Sequence, residues 1–369
     1  MNNTTTVDPF ALCKNPTSPW FIVYTTFLVL ILLATLFGNG LVVLSVYVFA
    51  RLRRVSNMFI VSLAVSDLLV ALASLPLRID QSVHNMNWCS STATCVFWVS
   101  TDGIWSAASI CNLVIISIDR FLAITKPFAY QEKMTKTVCL GLITFVWVYA
   151  VTWGLLSLIY WSNGEEPAWT GVFSTGEHYC QKNDRFYYTA TFVFAIFIPL
   201  VIIIITYASI FKVALMQAKM LASQDPTRRG HRRSVRELKA TKTIAIVIGV
   251  FVVCWLPAFV IITISLWCSP NDCFSGFAKY PAFSLAIRIP FVFVLPILNS
   301  SVNPIIYAVY NKEFRDAFRK MLRLDSGRQS GADYLEEYSC TEPIHVRRLL
   351  DSNSKGSRID TNMNGGSKI

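Results

Sequence analysis

The sequence predicts an all-α membrane protein, a seven-transmembrane helix bundle followed by a short amphipathic eighth helix. Three observations predict it. The chain is too apolar for a soluble globule of its size, with 54% hydrophobic and only 15% charged residues among 369 and a mean hydropathy of +0.48. The apolar residues gather into seven runs, roughly 20–48, 57–80, 93–125, 138–161, 187–212, 241–267 and 283–308, each near or above the ~20 residues a spanning helix needs. The bases gather in alternate joining segments, the bias that sets membrane topology. Hydrocarbon offers no partner to a backbone N–H or C=O, so each run must satisfy its own backbone as a helix.

Taken in order, residues 1–19 are polar and carry two overlapping N-glycosylation acceptors, at Asn2 and Asn3, with no cleavable leader pattern. Either sugars mark this end as extracellular, or it is an unmodified terminus. Arg51, Arg53 and Arg54 follow the first run, and nine Lys/Arg between Lys212 and Lys242 face only Asp225 and Glu237. The segment from Trp161 to Arg185 instead holds four acids, Glu165, Glu166, Glu177 and Asp184, against Lys182 and Arg185. The positive-inside rule then places the basic segments in the cytoplasm, the amino terminus outside and the carboxyl end inside. A multi-pass protein of the plasma membrane is expected, with its bundle at 20–310. Over 311–323, Phe314, Phe318, Met321 and Leu322 share one face and bases the other, as in a helix lying on anionic lipid. Residues 324–369 are rich in Ser, Gly, Asn and charge and are expected to be a disordered cytoplasmic tail. Its last residues, Ser367, Lys368 and Ile369, are of a kind that adds a strand to a PDZ domain.

The net charge of +11 belongs to topology rather than to nucleic-acid binding, because the bases lie between apolar runs. No HExxH, GxSxG or phosphate-binding glycine loop supports an enzyme, and no repeat or charged permeation path supports a transporter or channel. Ten cysteines are too few and too scattered for a disulfide scaffold. Cys111, Cys139 and Cys254 sit inside apolar runs, where a thiol is a small core residue. Cys268 and Cys273 are spaced to close a small ring in an outer loop, whereas the pairing of Cys13 and Cys89 cannot be read from sequence.

The stretch from Cys95 to Tyr130 is the most informative. It is an apolar run with one acid, Asp102, near its start and an acid-base pair, Asp119-Arg120, near its end. A charge in hydrocarbon costs a few kcal/mol or more, so such residues are functional candidates by default. Asp102 lies seven residues beyond Cys95, about two helical turns, which aims it into the bundle from the outer third. It either meets a cationic ligand or is neutralised internally by Arg78. Asp67 is a second acid in mid-membrane. Pro199, Pro257 and Pro304 each remove a helix hydrogen bond and permit a kink.

Motifs in successive runs make the pattern specific. They are Gly38-Asn39, Leu63-Ala64-Val65-Ser66-Asp67, Asp119-Arg120-Phe121, Trp147, Pro199 with Tyr207, Phe251 through Trp255 to Pro257, and Asn303-Pro304-Ile305-Ile306-Tyr307. From about Phe21 to Arg323 the chain resembles the rhodopsin-like (class A) G-protein-coupled receptors, and among them the biogenic amine receptors. The resemblance implies a polar cluster of Asp67, Asn39, Ser109, Asn299 and Asn303 beneath Trp255. That cluster either holds a sodium ion or is a hydrogen-bonded core without one, and no cofactor is otherwise expected. It implies a packed connector of Ile110, Pro199 and Phe251, a latch between Arg120 and both Asp119 and Glu237, and switch residues Tyr207, Asn303, Pro304 and Tyr307. It also implies a Cys95–Cys180 disulfide. Heterotrimeric G protein, receptor kinases, arrestin and membrane lipid are the implied partners, with Ser326, Ser330, Ser339 and Thr341 as candidate phosphate acceptors.

For the ligand, the resemblance pairs Asp102 with an ammonium boxed by Trp105, Trp255, Phe259 and Phe293, with Ser106 and Thr191 completing the pocket. Several positions depart from the amine receptors. Ala258 precedes Phe259 where a pair of aromatics is usual, and Phe121 replaces the usual Tyr. Ile297 replaces the Tyr that steadies the acid, and also the Lys an opsin needs. Thr191, Phe192 and Ala195 stand where catechol-binding serines would be, which speaks against a catecholamine. Arg78 and Arg288 add positive charge. A small amine is the expected ligand; the alternative is a class A receptor for a peptide, lipid or other non-amine.

Overall fold

A computed structural model of the chain describes residues 13, 15–159, 161, 173–174, 180–182, 184–222, 229–267 and 286–322. Seven of its helices are long and apolar enough to cross a membrane: Pro19–Val48, Val55–Val83, Thr92–Thr125, Lys136–Leu156, Arg185–Val213, Ala245–Ile264 and Ala286–Tyr310. The chain is thus a multi-pass membrane protein built as a seven-helix bundle, as its hydropathy predicts. Local chemistry starts the helices. Pro19 opens the first, where a missing N–H costs nothing. Ser91 caps the third by accepting from the Thr94 N–H, and Thr135 caps the fourth by accepting from Val138. Asp184 caps the fifth, its Oδ1 accepting from the backbone of Phe186 at 3.1 Å and Tyr187 at 3.0 Å.

The third span is the hub. It packs against the second, fourth, fifth and sixth, and 67% of its most apolar stretch is buried, against 28% for the first, fourth and fifth. The apolar side chains left outside, such as Phe37, Tyr47, Phe145, Ile205 and Val253, need no protein partner where the solvent is lipid. Two glycines set close crossings. A Cβ on Gly38 would sit 2.9 Å from Cβ and Cγ of Pro304, and one on Gly154 would sit 2.2 Å from Cγ1 of Ile104. Only the absence of a side chain lets the first span meet the seventh, and the fourth meet the third, this closely.

Beyond the expected proline kinks, the helices contain three π-helical segments, Val70–Ser74, Phe192–Phe197 and Ile289–Val294. Each stands just before a proline: Pro76, Pro199 and Pro296. A proline ring clashes with the carbonyl four residues back, here Leu72, Ala195 and Val292, and a widened turn at that carbonyl relieves the clash. Pro257 and Pro304 lie inside regular helix.

At the end of the bundle where the first span begins, Cys95 is bonded to Cys180, and Cys13 to Cys89. The second bond ties the start of the described chain to the segment after the second span, where the Thr17 hydroxyl donates to Val83 O at 2.6 Å and the Ser18 N–H to Asn85 Oδ1 at 2.8 Å. A two-residue antiparallel ladder, Phe173–Ser174 with Gln181–Lys182, interrupts the otherwise helical structure. Cys111, Cys139 and Cys254 are free thiols. After the seventh span comes the short helix Lys312–Met321. It buries Phe314, Ala317 and Phe318, with Phe314 5.6 Å from Tyr307 between ring centroids, whereas Leu322 stays exposed rather than joining that face. Asn2, Asn3, Cys268, Cys273 and the tail with its serines and terminal Ser367-Lys368-Ile369 lie outside the described residues.

Candidate functional site

Between the second, third, fifth, sixth and seventh spans, in the half of the bundle that holds the Cys95–Cys180 bond, lies a cavity of about 410 Å³. Asp102, Trp105, Ser106, Thr191, Trp255, Phe259 and Phe293 all line it. The third span delivers Asp102, Trp105 and Ser106 from one face, as residues three and four apart on a helix must be. The Ser106 hydroxyl donates to the Asp102 carbonyl at 2.7 Å, so its oxygen faces the cavity as an acceptor. Trp255 stacks 5.4 Å from Phe259 and 6.1 Å from Phe251, and Phe259 lies 6.4 Å from Phe192. Indole N–H groups of Trp98, Trp105 and Trp255 are buried without a hydrogen-bond partner among the described residues. Buried donors of this kind favour a ligand that can accept. The π-helical segments turn Ser74, Ala195, Ile196 and Phe293 toward this same space. No periodicity in the sequence marks them.

The charges around the acid differ from the internal neutralisation that sequence left open. Among the described residues no ion pair joins Arg78 to Asp102. The Arg78 guanidinium lies over the rings of Trp98 at 4.5 Å and Phe293 at 4.7 Å. Trp98, which sequence reasoning missed, stacks in turn on Trp88 at 5.2 Å. Lys182 also lines the cavity, but its Nζ donates to Ile159 O at 2.8 Å and pairs with Asp184 at 3.4 Å, both side chains fully buried. Burial pulls the Lys182 pKa below the usual ammonium range, and Asp184 opposes that pull. Ile297 and Arg288 complete the lining on the seventh span.

Below the cavity, Ser109 and Asn299 form its floor, and beneath them the Asn303 amide donates to Asp67 Oδ2 at 2.9 Å. Asn39 donates instead to the Thr35 and Ser300 carbonyls, at 3.1 and 3.0 Å. Asp67 Oδ1, Asn299 Oδ1, Asn303 Oδ1 and Ser109 Oγ are buried and have no partner among the described residues. One carboxylate among neutral oxygens suits a hard monovalent cation. Ile110, Pro199 and Phe251 are buried at the next level.

At the opposite end of the bundle Asp119 is buried and accepts from Arg120 Nε at 2.9 Å and from the Tyr130 hydroxyl at 2.6 Å. Arg120 also donates to Ser56 Oγ. Tyr130 was not a sequence candidate, because the chain turns at Pro127 before folding it back onto Asp119. Burial, then the Asp119 charge and hydrogen bond, push the Tyr130 pKa up to about 12, so it remains a donor. Glu237 falls within the helix Arg229–Trp267, but its side chain lies outside the described residues. Tyr307 is buried and Tyr207 half-buried, with the Tyr207 hydroxyl buried and without a partner among the described residues.

Comparison with known proteins matches residues 38–307 to the family described as 7 transmembrane receptor (rhodopsin family). The D(1B) dopamine receptor of Xenopus laevis is 37% identical over 327 residues, covering 82% of this chain and 70% of the relative. The D(1A) dopamine receptor of the same species is 32% identical, covering 87% and 76%. The D(1)-like dopamine receptor of Takifugu rubripes is 33% identical, covering 80% and 69%.

Proposed function

We propose, from the premise that this chain belongs to the rhodopsin-like family of seven-transmembrane G-protein-coupled receptors, that it binds a small extracellular amine at Asp102 and activates a heterotrimeric G protein through Asp119, Arg120 and Phe121. The observation that carries the reading is the shared cavity: one carboxylate, Asp102, faces the aromatic side chains of Trp105, Trp255, Phe259 and Phe293. An ammonium there forms a charge-assisted hydrogen bond to Asp102 in a low-dielectric site, and the rings contact both the cation and the ligand's apolar body. The dopamine receptors among the relatives support an amine. Thr191, Phe192 and Ala195 lack the hydroxyl pattern expected for a catechol.

The stacked rings link ligand to signal. A ligand pressing on Phe259 and Trp255 moves Phe251, which shares its layer with Ile110 and Pro199. Pro257, inside the sixth helix two residues beyond Trp255, removes one backbone hydrogen bond and lets the helix half preceding it swing. Arg120 then exchanges its contacts with Asp119 and Ser56, and with Glu237 as the family resemblance suggests, for the G protein. Tyr207, with a free hydroxyl nearby, is available to hold Arg120 in the new position, and Tyr307 repacks below Asn303 and Pro304. The agonist works only through its higher affinity for the swung-out state. Asp67, Ser109, Asn299 and Asn303 would hold a sodium ion, which supplies charge compensation to Asp67. The alternating basic segments support an extracellular amino terminus in the plasma membrane. Receptor kinases and arrestin would act on the tail, a PDZ domain on its end, and anionic lipid on the helix Lys312–Met321.

The test is a panel of biogenic amines applied to cells expressing the chain, read as cAMP and calcium, with Asp102→Asn alongside. A response that the variant loses is expected. Full potency retained in Asp102→Asn, or silence across the panel at confirmed surface expression, would defeat the amine reading.

A further inference from the structure

Among the described residues, the lining of the cavity carries one acid, Asp102, and three bases, Arg78, Lys182 and Arg288. Lys182 is already matched by its ion pair with Asp184 at 3.4 Å. That leaves Asp102 facing two cations. A ligand carrying an ammonium alone would satisfy Asp102 and leave the half-buried guanidinium of Arg78 with no counter-charge, a costly arrangement in a low-dielectric site.

Arg78 is built to receive an anion. Its guanidinium lies over Trp98 at 4.5 Å and Phe293 at 4.7 Å, and stacking of this kind fixes the plane of the group while leaving its N–H edges for a planar acceptor. Its hydrogen bond to Gln81 Oε1 is long, 3.5 Å, and its Nε is buried with no partner among the described residues. Arg78 and Asp102 line the same cavity but form no ion pair among the described residues, so each is open to a group of opposite charge on one ligand.

We infer that the ligand is a zwitterion of amino-acid type, whose ammonium meets Asp102 while its carboxylate meets Arg78. This rests on the amine reading of Asp102 and narrows it to a chemical class. The aromatic walls then select an aromatic or other apolar side chain.

The test uses matched pairs that differ by one carboxylate: phenylalanine with phenethylamine, tyrosine with tyramine, tryptophan with tryptamine. Each is applied to cells expressing the full chain, with surface expression followed by an epitope at the amino terminus. In at least one pair the amino acid should be roughly tenfold or more the more potent, the worth of one charge-assisted hydrogen bond. Arg78→Gln should erase that preference and leave the amine as potent or more so, Arg78→Lys should keep part of it, and Asp102→Asn should silence both members. Amines more potent than their amino acids, or a preference that Arg78→Gln leaves intact, overturns the inference while the amine reading stands. Silence of both members of every pair overturns both.

Discussion

The fourth span contains two glycines, Gly141 and Gly154, for which the same substitution should have opposite effects. Nothing lies within 4 Å of a Cβ built on Gly141, whereas a Cβ on Gly154 would meet Ile104 Cγ1 at 2.2 Å, Ile104 Cδ1 at 2.6 Å and the Ser100 carbonyl at 3.2 Å. At Gly141 an alanine only reduces the freedom of the unfolded chain and should stabilise by about 0.5–1 kcal/mol. At Gly154 that gain is outweighed by overpacking, about 1–3 kcal/mol, because the Ser100 carbonyl is backbone and the Ile104 side chain packs beside Ala107, Ala108 and Ala150. The net effect is a loss of about 0.5–2 kcal/mol. Thermal unfolding of the purified receptor in nanodiscs, followed by tryptophan fluorescence, should therefore move up for Gly141→Ala and down for Gly154→Ala. Ile104→Ala removes both clashing atoms and should suppress the defect, with a coupling of about 1 kcal/mol or more. Ile104→Val keeps Cγ1 and should not. Equal shifts at the two glycines, or a Gly154→Ala defect untouched by Ile104→Ala, would refute this account of the crossing between the third and fourth spans.

Three further outcomes are expected. Tyr130→Phe removes the donor to Asp119, a bond to a charged group worth about 1.5–3 kcal/mol, and should raise ligand-free signalling. Because the Tyr130 pKa is raised from 10.0 to about 12 by burial and by Asp119, the stabilisation it gives is fully present below pH 10 and is lost as pH rises through 12. The unfolding difference between wild type and Tyr130→Phe should follow that window, and a difference constant from pH 9 to beyond about 12 would sink the assignment. Asp184→Ala deprives the fifth helix of its cap and Lys182 of its partner, a loss of about 3–5 kcal/mol, and should sharply reduce surface expression. Asp184→Asn keeps a capping oxygen and should lose less; equal losses would mean the cap contributes nothing. Replacing sodium with N-methylglucamine at constant ionic strength should raise agonist affinity in wild type and leave Asp67→Asn unchanged, and an equal response in both would argue against Asp67 as the ion's ligand.

The seven helices were legible because lipid leaves the backbone no alternative, and length and hydropathy alone mark each span. Asp102 was legible as an acid inside an apolar run, and the family resemblance supplied Trp105 and Ser106 beside it. Their spacing of three and four residues puts all three on one helix face. What sequence concealed depends on contacts between distant segments. The Cys13–Cys89 bond is one of several pairings ten cysteines allow. The place of Arg78, between Trp98 and Phe293 rather than in an ion pair with Asp102, depends on three spans meeting. Tyr130 reaches Asp119 only after the turn at Pro127. The π-helical segments had a usable signal that was not exploited: Pro76 and Pro296 stand inside apolar runs, where a spanning helix must absorb each ring somehow.

Ligand recognition in this receptor rests, as proposed, on the contact between an ammonium and Asp102. A cryo-electron microscopy structure of the receptor with its most potent ligand measures it directly. The ligand nitrogen should lie about 2.7–2.9 Å from a carboxylate oxygen of Asp102. A nitrogen beyond about 4 Å, with Asp102 engaged by Arg78 instead, would contradict it.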